Sequence, residues 1–317
     1  MTNELDSSTV KFDDLNRPML LEDIEWVYQQ KEYAELKSLV TEYALKDLPV
    51  FNGNLRNSNL IYIDDAFKLT HWFRMWEYLS AYLNAIKPLD KDAKILDCGG
   101  VGSYFPFWLG EQGRDVKVID IQEFHIKISN LVAQTRDIPR LEFSLENMMD
   151  IQSDDNTFDS VYSISVLEHL KPSERGRAMA EIYRVLKPGG LLALTFDFGE
   201  DLNIKEEKLQ SSLICITGVD EIIDLYTQLP FEVIQNDLNA EMNELKRKRP
   251  QKEEFECRYM LTKTLSATSK WKDLIKYIVQ YSAYHVSPKI GYRFMPKSTG
   301  DYNFFRLFLR KPSSQSN

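Results

Sequence analysis

Cysteine is scarce. The 317-residue chain has three, Cys98, Cys215 and Cys257, with no CxxC pair and no zinc-type spacing. That removes a disulfide framework and a thiolate metal site, and points to a reducing, cytoplasmic setting. Positive charge is also short. Lys and Arg total 39 against 48 Asp and Glu, a formal net charge of −9. A surface that repels phosphates argues against a nucleic-acid partner. No apolar run reaches the ~18–20 residues needed to span a bilayer, so no membrane partner is expected. Residues 1–25 hold seven acids and two bases, the wrong sign for the basic start of a secretory leader. Internal repeats and low-complexity tracts are missing too.

What remains is ordinary globular material, 43% hydrophobic and 27% charged, in a length that suits one large core or two modest ones. Residues 1–20 are polar and patternless, which predicts a loose arm. From Glu22 to Leu45, the residues Trp26, Tyr33, Leu36, Val40 and Tyr43 recur at roughly helical spacing. Asn52–Asn59 is a turn-rich connector. In His71–Ile86 the residues Trp72, Trp76, Leu79, Leu83 and Ile86 form one apolar stripe, which Pro88 ends.

At Ala93 the pattern changes. AKILDCGG at 93–100 reads as a buried strand and a glycine turn. VKVID (116–120), LEFSL (141–145), FDSVYSIS (158–165) and LLALTF (191–196) read as four more strands. Helix-length segments separate most of them. Before the fifth, Met179, Ile182, Val185 and Leu186 share a face, and Lys187-Pro188-Gly189-Gly190 supplies a stop and turn. This alternation predicts an α/β fold with a doubly wound, mostly parallel sheet. Further on, Thr217–Leu229 reads as a helix, FEVI (231–234) as a sixth strand, Lys270–Tyr284 as a helix and Phe304–Arg310 as a last strand. The charged run at Lys246–Arg249 reads as a solvated face. The stretch 236–300 exceeds an ordinary connection and is taken as an insertion on the substrate side, with Arg293, Phe294 and Tyr302 toward the pocket.

The chemistry concentrates where strands end. Ile95-Leu96-Asp97-Cys98-Gly99-Gly100-Val101-Gly102-Ser103 runs from a strand through an acid into a glycine turn and a helix. Ligands of open α/β sheets sit at such carboxyl ends. Glycines allow close approach, a helix start offers N–H groups to a carboxylate, and Asp97 suits an ammonium. A ligand with both groups is an amino acid such as methionine. Asp120 ends the second strand, and its spacing from Asp97 is that of a ribose-binding acid. NAD also fits these two acids. However, its G-x-G-x-x-G fingerprint needs a third glycine where Phe105 stands. S-adenosylmethionine (SAM) has no pyrophosphate and tolerates the change.

From Trp72 to Ile234 the chain resembles the class I SAM-dependent methyltransferases. ILDCGGVGS is similar to that family's first motif, VKVID to the second, and FDSVYSISVLEHL to the fourth. EIYRVLKPGGLLALTF is similar to the helix, turn and strand that follow. Val101 and Ser103 depart from D-x-G-x-G-x-G, and Asn147 stands where an Asp is common. The resemblance implies a Rossmann-like seven-stranded sheet of order 3-2-1-4-5-7-6, with Phe304–Arg310 as its antiparallel seventh strand. It implies N-terminal helices over 1–90, a SAM-binding core over 91–235, and 236–317 completing the sheet. It assigns SAM contacts to Asp97, Gly99, Gly100, Gly102, Asp120, Ile121, Asn147, Met148 and Ser163.

Glu168 and His169 fall just past the fourth strand, facing the ligand. An unperturbed histidine titrates near ~6.5, so His169 suits a general base. Glu168 and His169 alone are too few for a metal site, and none is assigned. The other reading is that the pair only supports its loop. The Trp76-Glu77-Tyr78 segment ahead of the glycine loop is similar to methyltransferases that act on sugars or other small metabolites. The expected function is SAM-dependent methyl transfer to a small-molecule acceptor, O- or N-directed. Two alternatives remain, a non-catalytic methyltransferase-like binding module and, third, an NAD-dependent oxidoreductase.

Overall fold

The computed structural model describes residues 17–18, 22–46, 72–198, 219–234 and 303–313. The apolar runs from Lys94 onward form the parallel heart of one sheet. They are β2 (Lys94–Cys98), β3 (Asp115–Asp120), β4 (Leu141–Leu145), β5 (Phe158–Ile164) and β6 (Leu186–Phe198). β2 lies between β3 and β5, β4 pairs with β3, and β6 with β5, all parallel. β8 (Asn303–Arg310) returns antiparallel along β6, and β7 (Glu232–Val233) pairs antiparallel with β8. Counted from Lys94, this is the expected 3-2-1-4-5-7-6 order. The chain winds away from β2 in both directions, so a crevice opens at the carboxyl ends of β2 and β5.

Each face of the sheet carries its own apolar cluster. On one face, α1 (Glu22–Gln29) and α2 (Lys31–Lys46) lie with α3 (Trp72–Ala81) and α4 (Phe105–Glu111). The helical stripe read in the sequence is why: Trp76, Leu79 and Ile86 are fully buried there with Phe105 and Leu109. α5 (Glu123–Thr135) adds Ile126, Ile128 and Val132 to the same cluster. On the other face, α6 (Pro172–Val185) and α7 (Val219–Thr227) cover Leu96, Val161, Leu192 and Leu194.

Four expectations need correction. The first 20 residues are not wholly a loose arm, because Arg17–Pro18 forms a short strand, β1, paired with Arg306 and Phe305 of β8. The helix over Glu22–Leu45 is two helices that break at Gln30, whose side chain donates to the Trp26 carbonyl at 2.9 Å. The helix over His71–Ile86, described from Trp72 onward, changes pitch after Ala81. Tyr82–Ile86 is a π-turn, closed by the Lys87 N–H on the Tyr82 carbonyl at 2.7 Å. Lys187–Gly190 does not separate helix from strand. Strand pairing starts at Leu186 opposite Phe158 and resumes at Leu191 opposite Ser160, so the Pro-Gly-Gly segment is a bulge in β6 with Gly189 at φ +80°. The expected helix at 270–284, the charged run at 246–249, and Arg293, Phe294 and Tyr302 lie outside the described residues.

Candidate functional site

The glycine turn begins where β2 stops. Gly99 N–H bonds to the Ile119 carbonyl at 2.8 Å, tying the turn to β3. Gly99 and Gly102 adopt φ +90° and +78°, which side-chain-bearing residues rarely take. The loop is also crowded. A Cβ on Gly99 would lie 2.6 Å from Val166, and one on Gly100 would lie 1.7 Å from an Asp97 carboxylate oxygen. Val101 and Ser103, the departures from the family pattern, are not among the positive-φ residues. Ser103 has two roles instead. Its hydroxyl donates to the Tyr78 hydroxyl at 2.9 Å and accepts the Phe105 N–H at 3.1 Å. The first helical N–H is therefore already occupied, which qualifies the idea of a helix start open to a carboxylate. Phe105 itself is fully buried and stacks on Tyr78 with ring centroids 4.8 Å apart. A dinucleotide would need a glycine at that position.

Asp97 is almost fully buried. Burial pushes its pKa well up and nearby Asp120 adds to the shift, while the adjacent Tyr162 hydroxyl opposes it. No cation among the described residues offsets that burial. Asp120 accepts the Gln122 N–H at 2.9 Å, and the Ile121 and Val101 amides also point at it. Burial still raises its pKa, outweighing those donors. Beyond Asp120, Ile121 stands 70% exposed, an apolar ledge beside the acid. Two buried carboxylates, tight glycines and an apolar ledge fit a ligand with an ammonium, a ribose and a purine.

The other residues singled out in the sequence take varied places. Asn147 Oδ1 accepts the Met149 N–H at 2.9 Å and so closes a local turn after β4. Met148 is buried in the cluster that contains Leu96 and Ile119. Ser163 is buried and donates to the Cys98 carbonyl at 2.9 Å, joining the ends of β5 and β2. Glu168 is fully buried in the 3-10 turn Leu167–His169, whereas His169 reaches solvent. Partial desolvation, helped by the positive Arg74, holds the His169 pKa below its usual value. An imidazole so biased is neutral at neutral pH and able to accept a proton.

Sequence reasoning named Glu77 only within the Trp76-Glu77-Tyr78 segment, gave it no role, and did not single out Arg175. Glu77 of α3 is fully buried. Its Oε1 accepts the hydroxyls of Ser165 and Thr195, each at 2.7 Å, and its Oε2 pairs with Arg74 at 2.7 Å. Ser165 holds φ +53°, unusual for a residue with a side chain. Arg175, also buried, donates to the carbonyls of Leu167 (3.1 Å), Glu168 (3.3 Å) and Leu170 (3.0 Å), and pairs with Glu221 at 2.7 Å. A charged residue inside an aromatic helix segment was the one available signal for Glu77. Among the described residues no cluster of three or more His, Cys, Asp or Glu could hold a metal ion. No helix among them is long and apolar enough to cross a membrane.

Comparison with known proteins agrees with this geometry. Residues 96–194 match the model of a methyltransferase domain family. The chain is 31% identical over 175 residues to a sterol 24-C-methyltransferase of Kluyveromyces lactis, covering 51% of this chain and 46% of that enzyme. It is 26% identical over 235 residues to a phosphoethanolamine N-methyltransferase of Plasmodium falciparum, covering 68% of this chain and 87% of that enzyme. The chain thus spans less than half the length of the sterol enzyme. Among solved structures, the cyclase SpnF superposes with a TM-score of 0.53 at 18% identity, covering 77% of this chain and 84% of that one. That similarity concerns the fold alone, and the name of a cyclase shows that the fold does not fix the reaction. The domain match and the sheet order together show a methyltransferase domain on the Rossmann-like methyltransferase fold, a domain type that uses SAM as its cofactor.

Proposed function

We propose that this protein transfers the methyl group of SAM to a small-molecule acceptor through an oxygen or nitrogen nucleophile. One observation carries the reading: Asp97, deeply buried with no cation beside it among the described residues, stands beside a glycine turn too tight for any side chain. In this reading Asp97 holds the ammonium of SAM and Asp120 its ribose diol. Gly99, Gly100 and Gly102 let the ligand approach the backbone. Ile121, Asn147 and Met148 border the adenine, and Ser163 braces the turn. When bound, SAM supplies an already activated methyl group, so the protein's task is alignment and exclusion of water. His169 takes the acceptor's proton where the nucleophile carries one. Glu168 supports the turn that presents His169.

The acceptor edge supports a polar metabolite, a sugar being one example. Arg74, Ser165 and His169 bring charge and hydrogen-bonding groups to this edge, whereas an apolar acceptor would call for an apolar wall. α3 would form the acceptor-side wall. Scattered cysteines, with Cys98 a buried free thiol, support a cytoplasmic setting. Isothermal calorimetry tests the reading directly. SAM and its demethylated product should bind in the micromolar range, and absence of heat with both would sink it. Incubation with methyl-labelled SAM and a metabolite extract then identifies the acceptor by the labelled product.

A further inference from the structure

Helix α3 touches both edges of the site through consecutive side chains. Tyr78 meets the glycine turn at Ser103, with 2.9 Å between hydroxyls. Glu77 meets the ends of β5 and β6 at Ser165 and Thr195. The second contact bears on a strained position. Ser165 is left-handed, a conformation that crowds the Cβ of any residue with a side chain. Two bonds hold it there, its N–H to the Thr195 carbonyl at 2.9 Å and its hydroxyl to Glu77. The next residue, Val166, packs against Gly99 so closely that a Cβ on that glycine would come within 2.6 Å. Leu167–His169 follows directly. The conformation of Ser165 therefore sets where Val166 meets the SAM turn and where His169 leaves the sheet.

We propose that Glu77 is a positioning residue: by accepting the Ser165 hydroxyl it keeps Ser165 left-handed and thereby seats the Val166–Leu170 segment against the glycine turn that receives SAM. The inference rests on the SAM-binding reading above. Arg74 and Thr195 complete the clip, so that both carboxylate oxygens are held. A carboxamide in its place would either turn its NH2 toward Arg74 and lose that contact, or turn it toward the two hydroxyls, which would then accept instead of donate, with neutral bonds in place of charge-assisted ones.

The test uses Glu77→Gln, Ser165→Ala and Ser165→Gly in the full chain. Each is followed by thermal melting, by calorimetry with SAM, and by hydrogen exchange of amides 165–170 without ligand. Glu77→Gln and Ser165→Ala should each weaken SAM about tenfold and speed exchange in that segment. Ser165→Gly, which takes the left-handed conformation without help, should bind SAM more tightly than Ser165→Ala. A Glu77→Gln protein that melts cooperatively, binds SAM within twofold of the parent and exchanges 165–170 at the parent rate would overturn the proposal. If Glu77→Gln fails to fold, Ser165→Ala is read by the same two limits. A parent protein that binds no SAM would overturn the cofactor reading, and ligand-free exchange in Ser165→Ala would still decide the clip.

Discussion

At the ends of β2 and β3, Asp97 and Asp120 are held in low-dielectric surroundings with their pKa values raised and no cation among the described residues beside Asp97. At the ends of β5 and β6, Glu77 is buried just as deeply, yet it holds two hydroxyls and a guanidinium. Both edges belong to one crevice and bury carboxylates. The difference is completeness. An isolated buried carboxylate is costly and favours whatever cation arrives, whereas a saturated one stiffens its surroundings. In the proposed reading the first edge receives the cofactor, while on the second the Glu77 carboxylate keeps the shape of the segment that faces the acceptor.

That contrast can be broken most severely at Gly100. Gly100→Ala puts a methyl 1.7 Å from an Asp97 oxygen. The loop must move, and SAM affinity should fall by more than about 100-fold while the circular dichroism spectrum keeps its native form. Calorimetry that finds affinity unchanged would show that the turn is not the receiving edge.

Asp97→Asn should lower SAM affinity by about 30-fold, and it carries a pH signature. Burial raises the Asp97 pKa, so the ligand-free protein holds this proton more tightly than an exposed carboxylate would. The ammonium of SAM favours the ionised form and expels the proton. Affinity in the parent protein should therefore rise with pH until Asp97 ionises unaided, and the slope should flatten in Asp97→Asn. Stability carries the matching sign. Because the folded pKa lies above the unfolded one, the contribution of Asp97 to the ligand-free fold declines as pH rises between the two values. A chemical-denaturation series against pH, with and without SAM, reads both.

On the self-contained edge the expected loss is in stability. Arg175→Met strips donors from three carbonyls of the 167–170 turn and one partner from Glu221, whose half-exposed carboxylate can still reach water. About 2 kcal/mol should be lost, read as an earlier urea midpoint with unchanged slope. SAM affinity should change less than in Asp97→Asn. The reverse order of effects would erase the distinction between the two edges. Smallest of all, Ile121→Ala should cost SAM about twofold in affinity and leave the melting temperature where it is, since the side chain is mostly in water without a ligand.

The edge with Asp97 and Asp120 was the one whose layout could be read locally. Asp97 and Asp120 close runs of alternating or continuous apolar residues, and strand ends are where ligands of such sheets sit, so local sequence pointed at them. The saturated edge could not be read that way. Glu77 meets Ser165 and Thr195 across 88 and 118 positions, and no local pattern reports a pairing of that range. Arg175 carried no signal of its own in the sequence. Its burial depends on a turn that folds back over it. The same limit governs the bulge at Pro188–Gly190. Pro-Gly-Gly signals a break in regular structure, but whether the break ends a strand or bends it depends on where Phe158 and Ser160 find their partners.

The outer flank of β8 has a consequence for life at high concentration. A terminal strand normally presents a row of unpaired amides and carbonyls that invites another chain to add on. Here two short segments from distant parts of the sequence share that flank, Glu232–Val233 beside Leu309–Arg310 and Arg17–Pro18 beside Phe305–Arg306. Among the described residues each is two residues long, a short template for an incoming strand, and Pro18 has no N–H to offer it. The border of the sheet is thus dulled against edge-to-edge growth, a safeguard against aggregation.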